Sequence, residues 1–229
     1  MASGVFGLRK VYKKQVENVD NNNFASWPEG ATYGYYGAGF SPPYSSTVDR
    51  IDFSNETTSA PGNNLSQARR RPAAVATNFY GYFGGGNITG SPPYVVTVDR
   101  IDFSNETIST PGNGMPTGSS ALGSVSSSSY GYVGGGAGDS GRVSTVDRID
   151  FSSETFSVSS NNLSQGTNRL AGSSSSEYGY FGGGYVPPAP TQTALIDRID
   201  FTNETISAPG NDLPQARSQL AATSRNSYG

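Results

Sequence analysis

Cysteine and histidine are both missing from the 229 residues. The first absence excludes disulfides and thiolate metal sites. The second removes the commonest general base and the commonest metal ligand. Lysine is absent after Lys14, and tryptophan occurs once, at Trp27. No apolar run is long enough for a transmembrane helix. The basic residues near the N-terminus have no apolar stretch behind them, which argues against a secretory signal. The sequence therefore leads us to expect no enzyme activity, no metal, no cofactor and no membrane span.

Positive charge is also thin over most of the chain. Residues 1–20 hold four basic and two acidic side chains, whereas the rest holds eleven arginines against sixteen acids. An acidic body disfavours nucleic acid as a partner. The small basic arm attached to it reads as a separate functional piece.

Glycine (30 residues) and tyrosine (14) are plentiful, and hydrophobic residues make up 34% of the chain. That mixture suits short strands between turns, hence the all-β class. Thr-Val-Asp-Arg-Ile-Asp-Phe stands at Thr47–Phe53, Thr97–Phe103 and Thr145–Phe151, with a variant at Leu195–Phe201. Its leading aspartates, Asp49, Asp99, Asp147 and Asp197, are 50, 48 and 50 residues apart. Tyr-Gly-Tyr keeps the same beat from Tyr33, Tyr80, Tyr130 and Tyr178. Such a period marks a repeat architecture. Residues 31–229 are expected to form the repeat domain, with modules near 33–79, 80–129, 130–177 and 178–227 and a fifth begun at Tyr228.

Each module reads as four strands. A small-residue run comes first (Ala73–Ala76, Leu170–Ser173 and Leu220–Thr223), then an aromatic run ending in glycines such as Tyr80–Gly86. The Asp-Arg-Ile-Asp-Phe strand follows, and a fourth strand runs from the Asn55-Glu56-Thr57 type of turn to a Pro-Gly pair. Small residues in the first strand fit a radial array, whose innermost strands crowd together. Strand alternation puts Arg50 and Asp52 on one face. Buried charges need partners, so Arg50, Arg100, Arg148 and Arg198 are expected to bridge Asp52, Asp102, Asp150 and Asp200 of their own or the next module. The triple glycines lack a following Gly-Lys-Ser/Thr and read as tight strand exits rather than a phosphate loop. Asn55-Glu56-Thr57 and its copies match glycosylation sequons, but read better as turns. Arg69-Arg70-Arg71 reads as a solvated turn rather than a nucleic-acid site.

The pattern resembles the kelch repeat. Gly84-Gly85-Gly86 stands where that family has its double glycine, and Ile101-Asp102 matches its apolar-Asp pair. Leu65-Ser66-Gln67-Ala68-Arg69 and Leu213-Pro214-Gln215-Ala216-Arg217 match its Leu-x-x-x-Arg turn. The family's Trp is absent throughout, Thr58, Ile108, Phe156 and Ile206 standing in its place, and Met115–Ser119 has no arginine. The resemblance covers residues 33–229 and implies a kelch-like β-propeller of four-stranded blades. Four modules are visible. Kelch rings more often have six or seven, which implies a larger ring and a longer parent chain; if four blades are the whole ring, Leu220–Thr223 supplies the inner strand that the first module lacks and closes it.

The tandem Tyr-Gly-Tyr-Phe-Gly-Gly-Gly and Val-Asp-Arg-Ile-Asp-Phe-Ser-Asn-Glu-Thr segments, with the opening Met1–Lys10, also look like predicted tail-associated proteins of phages that infect marine cyanobacteria. That resemblance implies a non-enzymatic virion protein of the tail or fibre, a homo-oligomer within its assembly. Residues 1–30 are then an attachment arm for other virion proteins, with Phe6, Leu8, Arg9, Lys10, Tyr12, Lys13 and Lys14 as its contact residues. A short amphipathic helix and an extended arm both fit those residues, as does a frayed terminus. The loops after the glycines differ between modules, and loops on a rigid scaffold commonly carry binding. Tyr44, Tyr94 and Tyr185 sit beside prolines there and suit contacts with a host-surface glycan or protein. The alternative is a free, extracellular carbohydrate-binding protein of the lectin kind.

Overall fold

A computed structural model describes residues 17–18, 23–24, 33–188 and 191–224. They divide into two compact units, 1–34 with 51–58 and 35–50 with 59–229. In the first unit Glu17–Asn18 pairs antiparallel with Asn23–Phe24. The Phe53 ring lies against Gly34, leaving no room there for a Cβ. Asp52 accepts hydrogen bonds from the Ser54 amide and hydroxyl at 2.8 and 2.6 Å, and Asn55 accepts from the Thr57 amide at 3.0 Å.

All regular structure among the described residues is β, and the sheet pairings resolved residue by residue are antiparallel. Three successive modules each form a four-stranded meander in chain order. The strands are Ala73–Ala76, Tyr80–Gly84, Val98–Asp102 and Ile108–Ser109 in the second module. In the third they are Gly123–Ser126, Tyr130–Gly134, Val146–Asp150 and Thr155–Val158. In the fourth they are Ala171–Ser174, Tyr178–Gly182, Ile196–Asp200 and Ile206–Ser207. Among the described residues the first module has three strands, Tyr33–Phe40, Tyr44–Asp52 and Thr57–Ser59. Register repeats with the sequence: Tyr80 lies opposite Asp102, Tyr130 opposite Asp150 and Tyr178 opposite Asp200.

The small residues of the first strands sit where adjacent sheets crowd. Ser124 donates its hydroxyl to the Ala74 carbonyl at 2.8 Å, and the Ser126 amide donates to Ser174 Oγ at 3.1 Å. At Gly172 a Cβ would collide with the Ser124 carbonyl. The glycine exits recur as expected. Gly85, Gly135 and Gly183 take φ of 66°, 68° and 67°, a left-handed conformation that suits glycine. Leu220–Thr223 repeats the small-residue pattern but forms no strand, and Ala221, Ala222 and Thr223 are exposed.

Apolar clusters lie between the sheets. Val75, Tyr82 and Val98 pack with Val133 and Ile149 of the next module, and Val125, Tyr132 and Val146 pack with Phe181 and Ile199. Val48 and Leu65 likewise pack with Phe83 and Ile101. Full burial of such a side chain stabilises by about 1.5–3 kcal/mol. Because each cluster draws on two modules, each module depends on its neighbour for its core.

Candidate binding face

Where the sequence led us to expect an aspartate, the ion pairs seen among the described residues join the third-strand arginine to a glutamate. Arg50 meets Glu106 at 2.8 Å, Arg100 meets Glu154 at 2.8 Å and Arg148 meets Glu204 at 2.6 Å. Each glutamate belongs to the following module and also accepts from a tyrosine hydroxyl of the preceding one. Those bonds run from Tyr35 to Glu106 (3.0 Å), Tyr82 to Glu154 (2.9 Å) and Tyr132 to Glu204 (3.0 Å). Burial first, with the adjacent glutamate, pushes the Tyr82 and Tyr132 phenols well up, so both remain donors. The aspartates also hold their own turns. Asp52, Asp102, Asp150 and Asp200 each accept from the backbone amide two residues on. The physical reason is reach: the turn holds its glutamate at a φ of 54–60° in modules two to four, which points the side chain across the seam. Arg198 is bonded to Ser207 at 3.4 Å. The sequence did carry a signal for the glutamates, because module three replaces the turn asparagine with Ser153 yet keeps Glu154.

Stacked aromatics cross the same seams. Tyr35 lies on Phe103, Tyr82 on Phe151 and Tyr132 on Phe201, with ring centroids 5.3, 5.7 and 5.6 Å apart. A second ion pair sits deeper. Arg69, expected in a solvated turn, is fully buried and meets Asp99 at 2.7 Å and the Phe83 carbonyl at 3.0 Å. Ser119 and Thr167 occupy the equivalent positions in the next two modules. Asp147 and Asp197 are therefore buried without that arginine. Burial pushes the Asp147 carboxyl up to about 6, opposed by the Thr117 amide at 3.3 Å. Burial also raises Asp197, opposed by the Ser164 hydroxyl and amide.

Just beyond these positions each module has a left-handed residue, which after Arg71, Ala121 and Arg169 leads into a first strand. Arg71, Ala121, Arg169 and Gln219 take φ of 56°, 59°, 58° and 57°. A ladder of main-chain bonds joins them. The Ala121 amide donates to the Arg71 carbonyl (3.1 Å), Arg169 to Ala121 (2.7 Å) and Gln219 to Arg169 (2.9 Å). Corresponding residues of successive modules are thereby gathered around one cavity of about 300 Å³, lined by Arg71, Arg169 and Gln219 over Leu122, Leu170 and Leu220. The Arg71 guanidinium is lowered by burial first and then by the neighbouring Arg169 and Arg70 charges. Among the described residues, Arg169 Nε is buried and has no hydrogen-bond partner. Like charges gathered over an apolar floor favour a bound anion.

No protein-family model matches the chain, and no curated protein matches it.

The three loop tyrosines stand beside that arginine cluster, half-buried rather than freely exposed. Arg70 lies 4.9 Å over Tyr44 and 5.7 Å from the exposed Phe40 ring. Asn87 accepts from both Tyr44 (3.1 Å) and Arg70 (3.2 Å). Arg169 lies 5.3 Å over Tyr185, whose phenol is lowered chiefly by its contact with Ser218. Tyr44 and Tyr94 are both near enough to Arg71 to act on its charge. The sequence reading singled out these tyrosines but did not place Arg70, Arg71 and Arg169 beside them.

A larger cavity of about 460 Å³ opens between the starts of the Tyr80 and Tyr130 strands, beside Phe79 and Asp150. Its carboxylate is already engaged in capping Ser152. Among the described residues no three of His, Cys, Asp and Glu cluster as a metal site, and no helix is long and apolar enough to cross a membrane. The arm residues Phe6, Leu8, Arg9, Lys10, Tyr12, Lys13 and Lys14 lie outside the described residues.

Proposed function

We propose that this chain is a non-catalytic binding and assembly protein, a kelch-like β-propeller repeat whose arginine-tyrosine face holds an anionic group of a surface glycan. The observation that carries the reading is the convergence of Arg71 and Arg169 on one cavity with no carboxylate among its lining residues. Guanidinium groups suit carboxylate or sulfate oxygens in a planar, two-pronged geometry. The apolar floor and the flanking Tyr44 and Tyr185 suit the faces of sugar rings. In this reading the protein is associated with a phage tail or fibre, residues 1–30 dock it to other virion proteins, and the face contacts the host.

The test is binding of the full chain to acidic and neutral polysaccharides by calorimetry. Binding to the acidic set is expected to weaken with added salt and to fall at least about tenfold in Arg71→Ala/Arg169→Ala. Equal binding by that double variant would remove the site. The free-lectin alternative uses the same face and differs only in the arm. Deleting residues 1–30 is expected to abolish incorporation into particles while sparing polysaccharide binding. Normal incorporation would leave the lectin reading standing.

A further inference from the structure

The second module departs from its neighbours at one turn. Asn63 of the first module donates its side-chain amide to the Glu106 carbonyl at 2.9 Å, and Asn161 of the third donates to the Glu204 carbonyl at 3.0 Å. Each ties its module to the glutamate turn of the next. Asn113 holds the same place in the second module, two residues before Met115 as Asn63 is before Leu65 and Asn161 before Leu163. It is exposed, and among the described residues its side chain makes no hydrogen bond. The turn before it differs as well. Gly62, before Asn63, takes a φ of 92°, whereas Gly112, before Asn113, lies outside the left-handed region. The same Pro-Gly-Asn sequence is therefore shaped differently in the two modules.

The residue that follows differs too. Asn64 and Asn162 follow Asn63 and Asn161, but Gly114 follows Asn113, in the chain's one Asn-Gly pair. Glycine carries no Cβ to hinder approach to its own nitrogen, and its main chain bends easily. Among the described residues the Gly114 amide donates no hydrogen bond. On the other flank, a Cβ added at Gly112 would meet nothing within 4 Å. A free carboxamide thus stands next to an unengaged amide nitrogen, with open space beside both.

We propose that Asn113 is a site of spontaneous deamidation, a slow, one-way conversion of a neutral side chain to a carboxylate. The Gly114 nitrogen attacks the side-chain carbonyl carbon of Asn113. A carbon–nitrogen bond forms and closes a five-membered succinimide, the carbon–NH2 bond breaks, and the proton from the Gly114 nitrogen leaves with the amine as ammonia. Water then opens the ring. Its hydroxyl completes a carboxyl group, and its hydrogen returns to the nitrogen. Opening at the side-chain carbonyl gives aspartate. Opening at the main-chain carbonyl gives isoaspartate, whose main chain passes through the former side chain and is one carbon longer.

The location gives the longer product a consequence for the seam between modules two and three. The Met115 amide donates to the Val96 carbonyl at 2.8 Å, and a Cβ on Gly114 would stand 2.6 Å from the same oxygen. Met115 is 3% exposed and packs with Val75, Tyr82 and Val98 of its own module and Val133 of the next. In a close-packed interior an extra main-chain carbon just before Gly114 cannot keep the Val96 contact and seat Met115 together.

The experiment is to age the full, folded chain in warm, mildly alkaline buffer and to map it by peptide mass at intervals. Trypsin releases residues 101–142, which carry Asn113. That peptide is expected to gain about 1 Da, placed at position 113 by its fragment spectrum. The rate should rise with pH, because the attacking nitrogen must shed its proton. Asn63 and Asn161 in the same sample are expected to convert at least about tenfold more slowly, since each is hydrogen-bonded and followed by a residue with a side chain. Asn113→Gln is expected to keep the parent's circular dichroism and to lose the gain at that position. The urea midpoint of the parent is expected to fall on ageing, and that of Asn113→Gln to hold. No gain at position 113 in the folded chain would overturn the proposal, as would equal conversion at Asn63 and Asn161. A converted chain with an unchanged urea midpoint would overturn the consequence for Met115. These readouts are mass and stability, so their failure is separate from a failure of the arginine site.

Discussion

Replacing Arg69 with methionine is expected to destabilise the fold by about 3–5 kcal/mol, the largest effect of any single arginine here. Arg69 and Asp99 are both fully buried and 2.7 Å apart. Burial opposes the charge on Arg69, and the Asp99 carboxylate offsets part of that cost. Removing the guanidinium leaves the buried Asp99 side chain without its main partner and takes a donor from the Phe83 carbonyl. Asp99 would retain the Ser66 amide at 3.2 Å and the Thr110 hydroxyl at 3.5 Å, too little to replace the pair. Urea unfolding of Arg69→Met against the parent measures the loss. Arg217→Met is the matched control, because that arginine has the same place in the repeat but is exposed. Its effect on the isolated chain should stay within about 0.5 kcal/mol. Equal losses in both variants would contradict the assignment.

Asp147 is expected to make the protein less stable as pH rises from about 4 to about 6. Its folded carboxyl, pushed up to about 6, holds its proton to higher pH than the ordinary value of 3.8 allows in the unfolded chain. The folded state thus binds more protons across that window, and linkage then lowers stability with rising pH. The difference corresponds to about 3 kcal/mol, fully lost above the folded value. Asp197, raised for the same reason, acts in the same direction. Asp147→Asn removes the ionisation while keeping the shape. It should flatten the pH dependence and exceed the parent's stability at neutral pH, read from urea midpoints in a pH series. An unchanged slope between pH 4 and 6 would show that Asp147 is not the group responsible.

The sequence made the meander legible because period and residue size are local properties. Four strand types, the glycine exits and the Asn-based turns could all be read along one module. The pairing across modules was harder to read. Alternation correctly placed Arg100 and Asp102 on one face, but proximity along a strand does not determine which carboxylate a long side chain reaches. Glu154 gains its place from a left-handed turn, which residue order reveals only through the persistence of glutamate when asparagine is lost. Arg69 misled for a related reason. Three consecutive arginines look solvated, yet one is fully buried, one lies over Tyr44 and one lines the cavity. Their divergence is set by the turn into the first strand, not by composition. The loops that carry Tyr44, Tyr94 and Tyr185 were legible because proline and aromatic residues mark loops; the cavity beside them draws on positions some fifty residues apart and has no local signature.

The seam also has a consequence for synthesis. Tyr35 and Arg50 wait for Glu106, and Tyr82 and Arg100 wait for Glu154. A nascent chain leaving the ribosome can therefore complete a given sheet only after the next one has emerged. At each moment the growing end carries a single unfinished boundary of known polarity, to be capped by the newest arrival.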